Sequence, residues 1–163
     1  MNVNIALLTV TDTRTLDTDK SGNILEKKIK KAKHKLIDRK ICKDSKKEIK
    51  KIIKKWLNKK KVDVIITTGG TGLTGRDITP EALNEVADKH IPGFGEVFRT
   101  LSLKTVGTSS IQSRACAVLA NGKYIFALPG SSGGVTDAWD KILIHQLDVN
   151  HKPVSYTHLR AHE

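Results

Sequence analysis

Three short apolar runs, each followed by a loop of small polar residues, constrain this chain more than any other feature of its sequence. The runs lie at 3–11, 62–68 and 124–128, and the loops that follow them lie at 11–22, 67–77 and 128–134. The runs are apolar at nearly successive positions, which is typical of strands buried on both faces of a parallel sheet. The pattern therefore predicts a sheet that is covered by helices on both sides.

Helical patterns separate the apolar runs. The apolar residues within 49–57 recur at helical spacing, and Ser45 and Glu48 form a capping box in front of them. This spacing turns the intervening lysines outward. A later helix is predicted to begin with Thr79 as its N-cap and Pro80 at its first helical position.

Further helices follow from the same reasoning. Apolar residues spaced from Ile24 to Ala32 and from Val135 to Leu147 predict one helix in each segment. Pro92-Gly93 is predicted to end the helix that begins near Thr79, and another is predicted to start at Phe94.

The sheet is predicted to be mixed rather than purely parallel. Asn121-Gly122 lies between two apolar runs and indicates a tight antiparallel hairpin. Residues 36–42 resemble a further strand, and Asp38 and Arg39 within it favour an edge position. Strands that alternate with helices in this way predict a three-layer α/β/α sandwich with a mostly parallel sheet.

The length of 163 residues favours one domain, which we place at residues 1–153. Residues 154–163 continue no pattern, and we expect them to be frayed or foreign to the domain. Two cysteines are too few for a disulfide framework or a cysteine-based zinc site, and no apolar run approaches the roughly 20 residues of a membrane span. We therefore expect a cytoplasmic protein with no membrane association.

The net charge of +12 is concentrated in one segment. Residues 27–61 contain 18 of the 29 basic residues and three acidic ones, and 17 of those 18 are lysine. Base recognition favours arginine, and single-strand binding needs several aromatic side chains, whereas this segment has only Trp56. A solvated lysine-rich face is therefore a better interpretation than a nucleic-acid site.

The loops at 67–77 and 128–134 are the strongest candidates for a binding site. Ligands of open α/β sheets bind where the parallel strands end, and glycine-rich loops there let backbone N–H groups surround phosphate oxygens. Two such loops at one crevice suit a ligand with phosphates in more than one place. The alternative is that the glycines only form tight turns.

Several charged residues accompany these loops. Asp77 follows the first glycine loop and precedes a helix, where a carboxylate can hold Mg²⁺ against phosphate oxygens or can simply stabilise the helix. Asp44 can reach the same edge or act only in capping. Asp12, Asp17 and Asp19 are weaker candidates from the loop after the first strand, where carboxylates are more often simply solvated. Arg14 and Arg76 could neutralise phosphate or pair with nearby aspartates.

Two nucleotide-binding motifs are disfavoured. The spacing Gly-Thr-Gly-Leu-Thr-Gly at 70–75 matches a dinucleotide fingerprint, but three residues separate its last glycine from the predicted helix. The acidic residue that should close a second strand is also missing. No Gly-Lys-Ser/Thr follows these glycines, so the sequence does not contain a kinase-type phosphate loop either.

Taken together, the motifs resemble those of the MoaB/MogA family of molybdenum cofactor biosynthesis proteins, over about residues 3–153. The segments that carry the resemblance lie at 67–72, 76–82, 92–99, 113–115 and 128–133, and the short chain with Gln-Leu-Asp at 146–148 is most similar to the MoaB branch. The resemblance implies an α/β/α fold, assembly as a homotrimer or homohexamer, and adenylylation of molybdopterin by Mg²⁺ and ATP with release of pyrophosphate. It also implies a non-catalytic molybdopterin-binding protein as the alternative, because the adenylylating activity belongs to the MogA branch.

The resemblance also assigns roles by position. It implies that Asp77 and Asp44 are catalytic. From the position of the residues themselves, we expect Asp77 to be the magnesium ligand and Asp12 to contribute to cofactor binding. The resemblance also implies that the Gly69–Gly72 turn and the Ser131–Gly133 loop hold the substrate. With their neighbours in the two loops, the expected substrate-binding residues are Thr68, Gly69, Gly70, Thr71, Gly72, Arg76, Pro129, Gly130, Ser131, Ser132 and Gly133.

Overall fold

Strands and helices alternate along the chain in the order that the apolar pattern predicts. The computed structural model describes residues 2–148. The strands are β1 (Asn4–Val10), β2 (Lys35–Cys42), β3 (Val64–Thr68), β4 (Lys89–His90), β5 (Cys116–Ala120) and β6 (Lys123–Leu128). The helices are α1 (Lys20–Lys31), α2 (Lys46–Leu57), α3 (Thr79–Val86), α4 (Pro92–Val106), a 3-10 helix (Gly107–Gln112), α5 (Ser132–Ala138), a π-helical segment (Trp139–Leu143) and α6 (Ile144–Gln146).

The six strands form one mixed sheet in the order β2-β1-β3-β6-β5-β4. The first four of these pair in parallel, whereas β5 pairs antiparallel with β6 and with the two-residue strand β4. Asn121 and Gly122 join β5 to β6 at φ 50° and 73°, the left-handed conformations that a tight hairpin turn needs. The hairpin and the edge position of β2 are therefore confirmed, while β4 was not predicted from the sequence.

Each face of the sheet carries its own core. On one face, β1, β3 and β6 pack against α1, α4, α5 and the π-helical segment, with Trp139 almost fully buried. On the other face, α2 and α3 pack against the sheet through residues such as Ile53 and Leu83. The two cores confirm the three-layer α/β/α sandwich. Among residues 2–148, no helix is both long and apolar enough to cross a bilayer.

Helix α2 shows how local sequence fixes an element. The Ser45 side chain accepts a hydrogen bond from the Glu48 N–H at 3.3 Å, as the capping box predicts. The carboxylate of Glu48 instead reaches the N–H of Lys43, two residues before the cap. Ile49, Ile53 and Trp56 of the predicted stripe are fully buried, and most lysines of the helix are exposed.

Three predicted helix boundaries are wrong. Helix α1 begins at Lys20, inside the predicted loop, because Asp19 caps it by accepting from the Gly22 N–H. Helix α3 has Ile78 as its N-cap, and the Thr79 hydroxyl donates to the carbonyl oxygen of Gly69 instead of capping the helix. Pro92 does not end α3, which stops at Val86; it begins α4, where its missing N–H costs nothing.

Residues 154–163, which we expect to be foreign to the domain, lie outside the described residues. The last residues of the predicted domain 1–153 also fall beyond residue 148. Both boundaries stay predictions.

Candidate functional site

A cavity of about 970 Å³ opens where the parallel strands end. The loops after β1, β3 and β6 form one side of it, and α4 with the 3-10 helix forms the other. The lining residues from the strand ends and loops are Val10, Thr11, Asp44, Gly69, Gly70, Thr71, Gly72, Asp77, Pro129, Gly130, Ser131, Ser132, Gly133 and Gly134. The remaining lining residues are Phe98, Ser102, Thr105, Val106, Ser109, Ser110, Gln112, Ser113, Thr136 and Asp137.

The first glycine loop follows β3 and requires glycine at two positions. Gly69 and Gly70 adopt φ 101° and 72°, which side-chain-bearing residues rarely tolerate. A Cβ on Gly69 would overlap the carbonyl oxygen of Val10, and a Cβ on Gly70 would overlap the Thr79 hydroxyl. The loop therefore lies directly against the backbone of β1 at Gly69 and against the Thr79 side chain at Gly70, and it also lines the cavity.

The second glycine loop is in backbone contact with the first. The Gly69 N–H donates to the carbonyl oxygen of Leu128 at 3.0 Å, and the Thr68 hydroxyl donates to the carbonyl oxygen of Pro129 at 2.7 Å. A Cβ on Gly130 would lie 3.3 Å from the Cα of Gly69. Small residues are needed on both sides of this contact, and the contact places both loops on one crevice.

The second loop leads into helix α5. The Ser131 side chain accepts from the Gly134 N–H at 3.1 Å and so caps the helix. Within residues 2–148, no acceptor meets the N–H groups of Ser132 and Gly133. These two donors border the cavity, where they can bind an anionic oxygen.

Asp77 closes the neck of the loop that follows the first glycines. Its Oδ2 accepts hydrogen bonds from the Thr74 N–H at 2.9 Å and from the Thr74 hydroxyl at 2.7 Å. Burial acts to raise the pKa of this carboxyl, but the bonds from Thr74 and Gly72 and the charge of Arg114 together lower it below its usual value. Asp77 is therefore an ionised carboxylate held at the cavity wall.

Asp44 and Asp12 lie near Asp77 but in different electrostatic surroundings. Burial, and then the charges of Asp12 and Asp77, raise the pKa of Asp44. Asp12 accepts two bonds from Arg76, both at 2.9 Å, and one from the Asp44 N–H. The Arg76 hydrogen bond is the main reason that the pKa of Asp12 falls to about 2. Arg76 thus neutralises one of three neighbouring carboxylates.

The structure brings most of the predicted site residues together. Asp44, Asp77, the glycines and Thr71 of the first loop and the predicted residues of the second loop all line the cavity. Thr68 is fully buried and holds the second loop in place through its hydroxyl. Asp12 and Arg76 pair with each other beside the cavity and are not among its lining residues. Their roles in binding stay predictions.

Sequence reasoning missed the wall formed by α4 and the 3-10 helix. Its hydroxyls include Ser102, Thr105 and Ser109, and Phe98 adds an apolar surface. The sequence contained a signal, because β5 runs antiparallel to β6 and therefore starts at the edge where β6 ends, with Cys116 opposite Ala127. The polar segment before β5 consequently lies at the same edge as the two glycine loops.

A metal at this site would depend on few protein ligands. The part of the chain that the structure describes contains no group of three or more histidine, cysteine or acidic side chains arranged to hold a metal ion. Mg²⁺, however, is commonly bound by one or two carboxylates together with substrate phosphates. Asp44 and Asp77, which both line the cavity, satisfy that requirement.

A three-layer fold with two touching glycine loops matches a known class of protein. A family model described as "Probable molybdopterin binding domain" matches residues 6–149, and the chain therefore belongs to this family of molybdenum cofactor biosynthesis proteins.

Individual relatives agree with this assignment. The chain is 42% identical over 152 residues to molybdenum cofactor biosynthesis protein B of Escherichia coli (strain K12), covering 93% of this chain and 89% of that protein. It is 45% identical over 149 residues to the protein of the same name from Staphylococcus aureus (strain COL), covering 90% and 88%. A crystal structure of molybdenum cofactor biosynthesis protein B superimposes with a TM-score of 0.91 at 40% identity, covering 99% and 98%. The resemblance to the MoaB/MogA family is confirmed.

Proposed function

We propose that this protein binds molybdopterin and adenylylates it with ATP, releasing pyrophosphate. The observation that carries the proposal is the backbone contact between the two glycine loops, which places two sets of small residues on one cavity. The reaction joins two phosphate-bearing molecules, and both must be held at once. A cavity of about 970 Å³ has the volume typical of pockets for ligands of this size.

In this reaction the protein mainly has to position the two phosphate groups. A phosphate oxygen of molybdopterin attacks the α-phosphorus of ATP; a P–O bond forms, the bond to the bridging oxygen breaks, and pyrophosphate leaves with that oxygen. Backbone N–H groups at Ser132 and Gly133 can hold phosphate oxygens in line for this displacement. The negative charge that develops at the α-phosphoryl group needs neutralisation, which the glycine loops supply only in part.

Asp77 and Asp44 would hold the magnesium ion, which supplies charge neutralisation at the phosphates when it is bound. Asp77 is suited to this role because its hydrogen bonds keep it ionised. The raised pKa of Asp44 results from burial and from the neighbouring charges of Asp12 and Asp77. A bound cation relieves that repulsion, so the residues fit the ion.

The test is release of pyrophosphate from Mg²⁺ and ATP, measured with and without molybdopterin. In Asp77→Asn, the remaining side-chain oxygen can still accept the two Thr74 bonds, so the variant removes the charge and retains the loop closure. Thr74→Val is the matched control, because it removes one loop bond and leaves the carboxylate. We expect release to require molybdopterin and to fall at least about 100-fold in Asp77→Asn, with a much smaller loss in Thr74→Val.

A second candidate is a molybdopterin-binding protein without turnover. It is favoured by the hydrogen bonds that Asp77 accepts within its own loop, because closing the loop alone could account for this residue. Molybdopterin that binds without any release of pyrophosphate, with equal affinity in Asp77→Asn, would identify this second function.

We also propose that the protein assembles as a homotrimer or homohexamer. Helix α4 and the 3-10 helix carry large apolar side chains that are exposed: Val97 is 50% exposed, Leu103 51% and Ile111 79%. Exposed apolar surface of this kind is typical of faces that become covered in an assembly.

A further inference from the structure

Arg114 lies behind the first glycine loop, in the segment between the 3-10 helix and β5. Its N–H donates to the carbonyl oxygen of Thr71 at 2.9 Å. Its guanidinium donates through Nε to the carbonyl oxygen of Gly72 at 2.7 Å and through Nη2 to that of Asp77 at 2.9 Å. One residue therefore holds the backbone on both sides of the loop 73–76.

The rest of the guanidinium is anchored to helix α3. Nη1 of Arg114 forms an ion pair with Oε1 of Glu81, in the first turn of that helix. The other oxygen of Glu81 is buried and has no hydrogen-bond partner within residues 2–148. The side chain as a whole is 38% exposed, and its pairing with Arg114 ties the loop to the first turn of α3. The loop, the helix that follows it and the entry to β5 thus converge on a single side chain.

The loop has few other attachments. Its neck is closed locally by the bonds between Thr74 and Asp77, and Arg76 joins it to Asp12. Arg114 does not line the cavity, whereas Gly72 and Asp77, the two residues whose carbonyls it holds, both do. An arginine suits this position because its planar fork presents several fixed donors at once, which a lysine ammonium cannot do.

We propose that Arg114 is a positioning residue: it fixes Gly72 and Asp77 at the cavity wall by holding their carbonyl oxygens from behind. The expected effect on kcat rests on the proposed adenylylation. The expected effect on the position of Gly72 and Asp77 rests on the loop geometry alone. Loss of the guanidinium removes the bonds to the carbonyl oxygens of Gly72 and Asp77, while every side chain that lines the cavity is retained. A displacement of about 1 Å at a reacting group can lower a rate by about 100-fold.

The experiment compares Arg114→Gln, Arg114→Lys and Lys123→Met in the full chain. Lys123 is the matched control: it is a buried cation that also holds two carbonyl oxygens, those of Trp56 and Lys59, at the start of β6 and hence at the opposite edge of the sheet. Hydrogen exchange is measured at the N–H groups of Thr74 and Asp77. Steady-state pyrophosphate release gives kcat and KM for ATP and for molybdopterin.

We expect exchange at Thr74 and Asp77 to become at least tenfold faster in Arg114→Gln and to stay at the wild-type rate in Lys123→Met. We expect kcat to fall about 100-fold in Arg114→Gln with a smaller change in KM, and Arg114→Lys to recover part of the loss. The proposal is overturned if Arg114→Gln keeps the exchange rates and the kcat of the wild-type protein. It is also overturned if Arg114→Gln and Lys123→Met lose kcat equally. If the wild-type chain releases no pyrophosphate, the proposed function fails, and the exchange rates decide the positioning role by themselves.

Discussion

Gly70 offers a direct test of how the first glycine loop is built. Its φ of 72° lies in the left-handed region, and a Cβ there would overlap the Thr79 hydroxyl. An alanine in that conformation costs about 1–2 kcal/mol, partly offset by the lower entropy of the unfolded chain, which leaves about 1 kcal/mol. The overlap adds a second cost, because the Thr79 hydroxyl must rotate away from the Gly69 carbonyl oxygen that it binds at 2.9 Å.

The two costs can be separated with a double-mutant cycle. An unpaired buried carbonyl costs about 1–3 kcal/mol, so Gly70→Ala is expected to lower the free energy of unfolding by about 3 kcal/mol and Thr79→Ala by about 2 kcal/mol. In the Thr79→Ala background the hydroxyl overlap has gone, and the approaches that remain are to Asp44 Oδ1 at 3.2 Å and to the Cβ of residue 79 at 3.3 Å, which small shifts can relieve. Gly70→Ala is then expected to cost about 1 kcal/mol. The double variant is therefore expected to lose about 3 rather than 5 kcal/mol, a coupling of about 2 kcal/mol.

Urea unfolding of the four proteins measures this coupling, with an unchanged denaturant slope as the requirement for comparing them. Thr79→Ser is the control, since it keeps the hydroxyl and should leave the full cost of Gly70→Ala in place. If Gly70→Ala costs the same in the wild-type and Thr79→Ala backgrounds to within about 0.5 kcal/mol, the hydroxyl is not what excludes a side chain at position 70, and the reasoning is refuted.

Three further predictions follow from other parts of the molecule. His34 accepts from the Val3 N–H through Nδ1 at 3.1 Å, and burial lowers its pKa below the usual 6.5. Its contribution to stability is therefore complete above about pH 6.5 and is lost as the pH falls through the folded pKa; the melting temperature should drop between pH 7.5 and 5.5, and less so in His34→Gln. Ile53→Ala should lower the free energy of unfolding by about 2–5 kcal/mol in urea, whereas Ile52→Ala, at a partly buried neighbour, should lower it clearly less; equal costs would show that Ile53 is not the more deeply packed of the two. Light scattering should give the mass of a trimer or hexamer, and Leu103→Glu should reduce it; a monomeric wild type would exclude the proposed assembly.

The main architecture could be read from the sequence because it depends on local rules. Continuous apolar runs identify buried parallel strands, and Asn121-Gly122 identifies the hairpin without reference to the rest of the chain. The edge position of β2 followed from Asp38 and Arg39. Both residues also bind buried residues of the domain: Asp38 accepts a hydrogen bond from the Trp56 indole N–H at 3.0 Å, and Arg39 forms an ion pair with Asp19.

What could not be predicted depends on contacts between distant segments. Asp19 looked like one solvated carboxylate among several in a polar loop, yet it is fully buried and binds Thr9 and Arg39. Thr79 looked like an N-cap, because a hydroxyl before a proline is a usual helix start. The nearby Gly69 carbonyl competes for the same hydroxyl and binds it. In both cases, residues distant in the sequence determine what the side chain binds, and no local sequence pattern indicates those partners.

The three carboxylates near the cavity illustrate how the fold assigns different roles to one residue type. Asp12 is bound by Arg76 and carries its charge at almost any pH, since its pKa is about 2. Asp77 is kept ionised by its own loop, whereas burial and two like charges raise the pKa of Asp44. Arg76 offsets only one of these charges, so the site retains negative charge that a cation can balance. Arg76 and a bound cation offset the same negative charge, so they compete. Arg76→Gln should therefore tighten magnesium binding. Weaker binding in this variant would show instead that Arg76 orients Asp12 for the metal.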